Sequence, residues 1–300
     1  MRFLTILIPT LLSAAFSGPA ALAASQDAPS NPARAASATI QSTHFLGIGI
    51  CPPWKPMPTS ACETAVHQIA DALGHRLSID PSDQTLLINA SATTEGLVRV
   101  MAQLRATLTP ADRLVIYATL HAGALDPSRP AGPDNDVMVL WSVEKPAVMA
   151  FAIAEDLWIR ASDFAAMVHD LPAGEVVLIL DACESAALTP LFLASHPADD
   201  PERPDAVVTS AKATQFANTT ADRSLPLFSK ELVEALGTKA DKGTLRDAVT
   251  LAAERTVAEA RPLCDALRAT SRKDGLDPTG CYQEPVLADP DKLLSAMVLR

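Results

Sequence analysis

Two residues in this 300-residue chain stand where an α/β sheet would do chemistry. His121 follows the apolar run Leu114–Tyr117 (LVIY) within TLHAG, and Cys183 follows Val176–Leu180 (VVLIL) within LDACES. Both runs read as buried strands. In parallel sheets ligands bind beyond the carboxyl ends of the strands. If these strands are neighbours, an imidazole and a thiol meet at that edge. A thiol attacks a carbonyl as its thiolate, and a nearby imidazole takes the proton and later returns it to a leaving amine. The tetrahedral oxyanion then needs donors, for which the backbone N–H groups of Ala122, Gly123 and Cys183 are candidates. Taken singly, each residue has a plainer reading. A Cys after a buried strand is more often a structural thiol, and a lone His is more often an ordinary loop residue.

The other four cysteines leave Cys183 as the odd one. Cys51 and Cys62 flank a Pro-rich loop, and Cys264 and Cys281 flank a polar, Gly-containing one. Four cysteines allow three connectivities, and the two local pairings are preferred because each staples one flexible loop. There is no C-x-x-C and no H-x-x-x-H, so no zinc pattern and no metal site is assigned.

Positioning His121 and Cys183 requires a scaffold, and the rest of the chain supplies one. Phe45–Ile50, Leu86–Ile88, Leu114–Tyr117, Val137–Trp141, Val176–Leu180 and Ala206–Thr209 read as strands. Between and after them come helical spacings over Glu63–Leu73, Leu97–Leu104 (capped by Thr93 or Thr94), Ser162–His169 (capped by Ser162), Leu227–Leu236 and Leu245–Ala260. Continuous apolar strands, each followed by an amphipathic helix, indicate an α/β fold. The expected architecture is a mostly parallel sheet with helices on both faces, a three-layer α/β/α arrangement.

The N-terminus reads differently. Arg2, an apolar run over Phe3–Phe16 and Ala21-Leu22-Ala23 form the three parts of a secretory signal peptide, assigned to residues 1–23. Residues 24–42, rich in Ala, Ser, Pro, Gln and Asn, read as a disordered linker, which leaves 43–300 as the folded domain. Export, secreted or to a periplasm, agrees with the cysteine reading. No later run reaches the length of a membrane span, so no membrane anchor is expected in the mature form. A net charge of −11 argues against nucleic acid or anionic lipid as partner and is compatible with a basic peptide.

The two strand-end motifs resemble those of the caspase-like cysteine peptidases, above all the metacaspase branch and its bacterial relatives. TLHAG resembles that family's Ser-Gly-His-Gly-like turn, and LDACES its Asp-Ala-Cys-His-Ser-Gly. The resemblance extends to SATTEGLVRVMAQL (Ser91–Leu104), ADRLVIY (Ala111–Tyr117), VVTSAKATQFA (Val207–Ala217) and LFSKELVEAL (Leu227–Leu236), covering about Phe45 to Pro285. It implies a cysteine endopeptidase with a His121/Cys183 dyad, acting on a peptide or protein substrate. Asp181 would line a pocket for Arg or Lys, and Asp156 would correspond to a second acidic substrate-binding position. The resemblance brings no obligatory cofactor. Some metacaspases require calcium, for which Asp134 and Asp136 are the available acids. Three positions depart from the family: Ala122 replaces a Gly, Glu184 a His and Ala186 a Gly. A carboxylate beside Cys183 disfavours its thiolate, so a non-cleaving, peptide-binding module is the alternative expectation.

Overall fold

The computed structural model describes residues 39–300 apart from 56, 127, 130–131, 146–152, 154–155, 194–202, 239–242 and 272–278. The expected signal segment and nearly all of the expected linker lie outside the described residues. The first strand, β1 (Ser42–Gly49), begins on the last residue assigned to that linker. It is anchored from the start, because Gln41 N–H donates to the Ala111 carbonyl.

A six-stranded sheet forms the middle layer. Beyond β1 it contains β2 (Gln84–Ile88), β3 (Asp112–Thr119), β7 (Glu175–Asp181), β8 (Asp205–Thr209) and β9 (Val286–Ala288), in the order β2-β1-β3-β7-β8-β9. The first five strands run parallel and β9 runs antiparallel to β8. Alternation along β3 shows why both faces need cover. Leu114, Ile116 and Ala118 point into one apolar layer, Val115 and Tyr117 into the other. The first layer is closed by α2 (Thr94–Thr107) and α3 (Ala161–His169), with α4 (Thr189–Leu193) at its margin. The second is closed by α1 (Thr59–Leu77), α5 (Leu227–Gly237), α6 (Leu245–Ser271) and α7 (Leu293–Ala296). The architecture is therefore the expected three-layer α/β/α fold.

Close packing sets the height of α1 above the sheet. A Cβ added at Gly47 or Gly49 would lie 2.7 or 2.6 Å from a Val66 methyl, so only glycine lets the helix settle there. Thr93 is the cap of α2, its hydroxyl accepting the Gly96 N–H at 3.1 Å. Ser162 is not the cap of α3. That helix starts at Ala161, and the Ser162 hydroxyl donates to the Pro133 carbonyl.

The expected strand over Val137–Trp141 is present as β5 (Asp136–Val139), but it stands outside the main sheet. It lies between β4 (Ala122–Ala124) and β6 (Trp158–Arg160) in a small antiparallel sheet that begins one residue after His121. Its four residues are all buried, so their pattern could not distinguish one sheet from the other.

Candidate functional site

β3 and β7 are adjacent parallel strands whose register pairs Thr119 with Asp181. The ladder runs one step further through Leu120 N–H to the Asp181 carbonyl, at 3.3 Å. His121 and Cys183 are each two residues past that paired position, so the fold brings the two strand tips together. Cys183 is the free cysteine; the other four form the Cys51–Cys62 and Cys264–Cys281 disulfides. Both side chains are half-buried. His121 Nε2 is buried without a hydrogen-bond partner among the described residues, and no hydrogen bond joins it to Cys183. Such contacts are commonly long before substrate closes the site.

The strand order reverses at β1, with β2 on one side and β3 on the other. The crevice at that reversal is where open α/β sheets take ligands. The β1–α1 connection runs over it. Ile50 N–H donates to the Thr119 carbonyl at 2.9 Å, and Asn89 holds both ends of the connection through the Cys51 N–H and the Thr59 carbonyl. Further along, Trp54 Nε1 donates to the carbonyl and hydroxyl of Ser142, at 3.2 and 3.1 Å.

Burial dominates the site's electrostatics. It pushes the His121 imidazole down to about 4, with the Lys55 ammonium adding to the effect. It pushes the Cys183 thiol up, and the charges of Asp181 and Glu184 push in the same direction. The Ala217 N–H and Lys55 oppose that rise. At rest the pair is a neutral thiol and a neutral imidazole.

Asp181 is buried beneath the tips. Its Oδ2 accepts the Ser229 N–H at 3.1 Å and the Ser229 hydroxyl at 2.5 Å, and that hydroxyl also meets the Tyr117 hydroxyl at 2.5 Å. Oδ1 is buried and makes no well-formed hydrogen bond among the described residues, although the Ser210 hydroxyl is near enough to favour the charged form. Burial holds this carboxyl above the usual range despite the Ser229 bonds.

Gly123 departs from its expected role as an oxyanion donor. Val139 N–H donates to the His121 carbonyl and Leu125 N–H to the Asn135 carbonyl, which makes 121/139 and 125/135 hydrogen-bonded pairs of the antiparallel ladder. Alternation places Gly123 opposite Val137 in the next such pair, with its N–H facing β5. Ala122 and Ala124 therefore direct their N–H groups away from β5. The Glu184 carboxylate lies on that side, close enough to the Ala124 N–H for it to favour the charged form, with Oε2 3.9 Å from where a Gly123 Cβ would be. Burial and the neighbouring Asp136 hold Glu184 above the usual carboxylate range.

Asp156 is exposed beside the start of α2, where its carbonyl accepts the Thr94 hydroxyl at 2.6 Å. Among the described residues its carboxylate bonds to neither strand tip, so the fold does not bring it to the pair. Asp136 is buried and accepts the Gly132 N–H, while Asp134 is exposed. Among the described residues no group of three or more His, Cys, Asp or Glu side chains could hold a metal ion.

Sequence reasoning missed Lys55. Its charge acts on both His121 and Cys183, although it lies more than 60 positions before either. The signal was available: a cation in a loop stapled directly after a strand at the sheet's reversal. Also missed was the support behind the Cys183 loop. Glu184 N–H donates to the Gln215 carbonyl, Phe216 N–H to the Gly280 carbonyl and Asn218 Nδ2 to the Cys281 carbonyl. These contacts tie the segment facing Cys183 to the second disulfide.

No protein-family model matches the chain, and no curated protein matches it. Among solved structures it is similar to protein GSU0716 from Geobacter sulfurreducens, with a TM-score of 0.53 and 12% identity. The similarity covers 85% of this chain and 97% of that one. At that identity the likeness shows the fold alone. The two disulfides fit a non-cytoplasmic protein, and no helix among the described residues is long and apolar enough to cross a membrane.

Proposed function

We propose that the chain is an exported, caspase-like cysteine endopeptidase in which Cys183 attacks the peptide carbonyl and His121 manages the proton. The observation that carries this reading is the β3/β7 register, which sets a free thiol and an imidazole with an unpartnered buried nitrogen on neighbouring strand tips. As Cys183 loses its proton to His121 Nε2, the sulfur attacks the carbonyl carbon. The oxyanion forms against the N–H groups of Cys183 and Ala122. Imidazolium then protonates the leaving amine, and water, deprotonated by the neutral imidazole, hydrolyses the thioester. Asp181 supports a preference for Arg or Lys before the cleaved bond. Its carboxyl, held by Ser229, is buried directly beside Cys183, so its charge favours a cation in the adjoining cleft through space rather than by contact. Residues 1–23 serve as the export signal, and the disulfides form on the far side of the membrane.

A second reading is favoured by one observation. The Glu184 carboxylate lies beside the Ala124 N–H and its charge disfavours a Cys183 thiolate. A peptide-binding module that holds a segment without cutting it would tolerate that arrangement.

The test is turnover of a peptide panel with Arg, Lys, neutral or Asp residues before the scissile bond, using the purified protein with its disulfides intact. Cleavage after Arg and Lys that vanishes in Cys183→Ala and drops selectively in Asp181→Asn is expected. Turnover retained in Cys183→Ala removes the thiol from the mechanism. Saturable peptide binding without turnover selects the module.

A further inference from the structure

The strand that follows His121 has an open edge. β4 is the terminal strand of the small sheet and pairs with β5 alone. His121, Gly123 and Leu125 turn their backbone groups toward β5, so the N–H and C=O groups of Ala122 and Ala124 face the other way. Among the described residues no backbone group pairs with them. All three residues of β4 are half-exposed. An unpaired edge of this kind is a template for one more strand.

The space over Gly123 indicates what that strand carries. Among the described residues, a Cβ built on Gly123 would have one atom outside its own segment within 4 Å: Oε2 of Glu184, at 3.9 Å. Residues directly opposite in paired strands share a face. The residue of an added strand that lies across from Gly123 would therefore send its side chain over the glycine toward Glu184. That carboxylate is half-buried and has no ion pair among the described residues. Asp136, buried across from Ala124, has none either. A cationic side chain is what this space lacks, and a chain of net charge −11 favours a basic segment at long range.

We propose that the free edge of β4 receives an extended peptide as a further strand, and that the residue of this peptide lying across from Gly123 is Lys or Arg, paired with Glu184. The proposal rests on the reading of the strand tips as a peptide site and deepens it. It adds a second basic position, separate from the one assigned to Asp181. On docking, a peptide carbonyl takes the Ala124 N–H, and the ammonium or guanidinium takes the carboxylate. Paired in this way, Glu184 opposes the Cys183 thiolate less with peptide bound than without it.

The experiment measures binding of short, fluorescein-labelled, Ala-rich peptides by anisotropy. It uses Cys183→Ala protein with both disulfides intact, so that nothing is cut. Each peptide carries one fixed Arg, and a second residue is scanned along it as Lys, norleucine or Glu. One scanned position should prefer Lys over norleucine by roughly three- to ten-fold, the effect of a partly exposed ion pair. N-methylation of successive peptide amides should weaken binding at every second position, by roughly ten-fold for each amide that faces β4. Gly123→Val suits an extended backbone and fills the space, so it should abolish the Lys preference at an unchanged urea midpoint. Glu184→Gln should abolish it too while keeping the alternation. Absence of binding, losses on N-methylation without a period of two, or a Lys preference that survives both variants would overturn the proposal. So would tighter binding of every peptide to Glu184→Gln, which would make the carboxylate a guard of the edge. Turnover of the best-binding peptide by the parent protein is read separately. The alternating pattern without turnover ends the peptidase reading and leaves the strand pairing intact; turnover without the pattern does the reverse.

Discussion

His121 should make the protein sensitive to mild acid, and the effect can be worked out from its burial. In the unfolded chain its imidazole titrates near the ordinary value of 6.5; in the fold, burial and Lys55 bring it to about 4. The folded state thus resists the proton that the unfolded state takes up. The stability this withholds is fully present above the unfolded value, declines as pH falls through 6.5 and levels off below about 4. Linkage puts the loss at about 2 kcal/mol between roughly pH 7.5 and pH 5, approaching ~3 kcal/mol at lower pH. Shifting the folded value up by a whole unit leaves the pH 5 figure above about 1.5 kcal/mol, so the expectation does not depend on fine detail. The assay is urea unfolding of parent and His121→Gln at both pH values. Asp181, Glu184 and the other carboxyls titrate in both proteins, so the difference between the two isolates the imidazole. His121→Gln should lose about 2 kcal/mol less than the parent over that interval. Equal losses would refute the claim that this ring is held neutral by burial.

Ser229→Ala removes the hydroxyl that joins Asp181 to Tyr117, leaving a buried carboxyl and a buried phenol each short of a bond. Unfolding should become easier by about 3 kcal/mol, with Tyr117→Phe costing about 1 kcal/mol by itself, as read from urea midpoints. Glu184→Gln removes an anion that opposes the Cys183 thiolate. Alkylation at neutral pH should accelerate severalfold, and a slower rate would mean that the carboxylate instead helps to seat the loop. Replacing Cys51 and Cys62 by Ser opens a loop of sequence separation 11 and should lower stability by about 3 kcal/mol, read from urea unfolding with a slope equal to or steeper than the parent's because the unfolded chain is less constrained.

The sheet was legible because its central strands are apolar on both faces. LVIY and VVLIL become β3 and β7, and the rule that ligands gather at strand ends then selects His121 and Cys183 without a side-chain contact. Short or interrupted elements were not legible. β4 and β6 have three residues each, too few for a period, and β9 is held at the edge by pairing with β8 rather than by its own pattern. Helix α6 continues to Ser271 through Pro262, where a sequence rule ends it near Ala260. The Gly123 expectation failed for a related reason. Which way an N–H points depends on the ladder partner, and its partner β5 was expected in the main sheet. Asp156 matched by position in the chain, but its carbonyl bonds at α2 and its carboxylate stands in solvent. Lys55 was overlooked because its effect is exerted through space from a loop whose path is set by a disulfide.

The placement of the two disulfides argues that oxidation serves the site more than the core. The main sheet buries large side chains such as Tyr117, Phe45 and Ile116 without any sulfur bridge. Cys51–Cys62 instead holds the connection that carries Trp54 and Lys55. Cys264–Cys281 backs the segment from which the Ala217 N–H reaches Cys183. Both staples therefore fix loops that flank the free thiol from opposite sides in the chain order. Removing either staple should therefore lower stability while leaving the domain folded, and should also loosen the groups that set the reactivity of Cys183. The Cys51→Ser/Cys62→Ser and Cys264→Ser/Cys281→Ser variants, compared with the parent at low urea where all are folded, decide the point: an unchanged Cys183 alkylation profile in both would mean that the staples serve the fold and not the site.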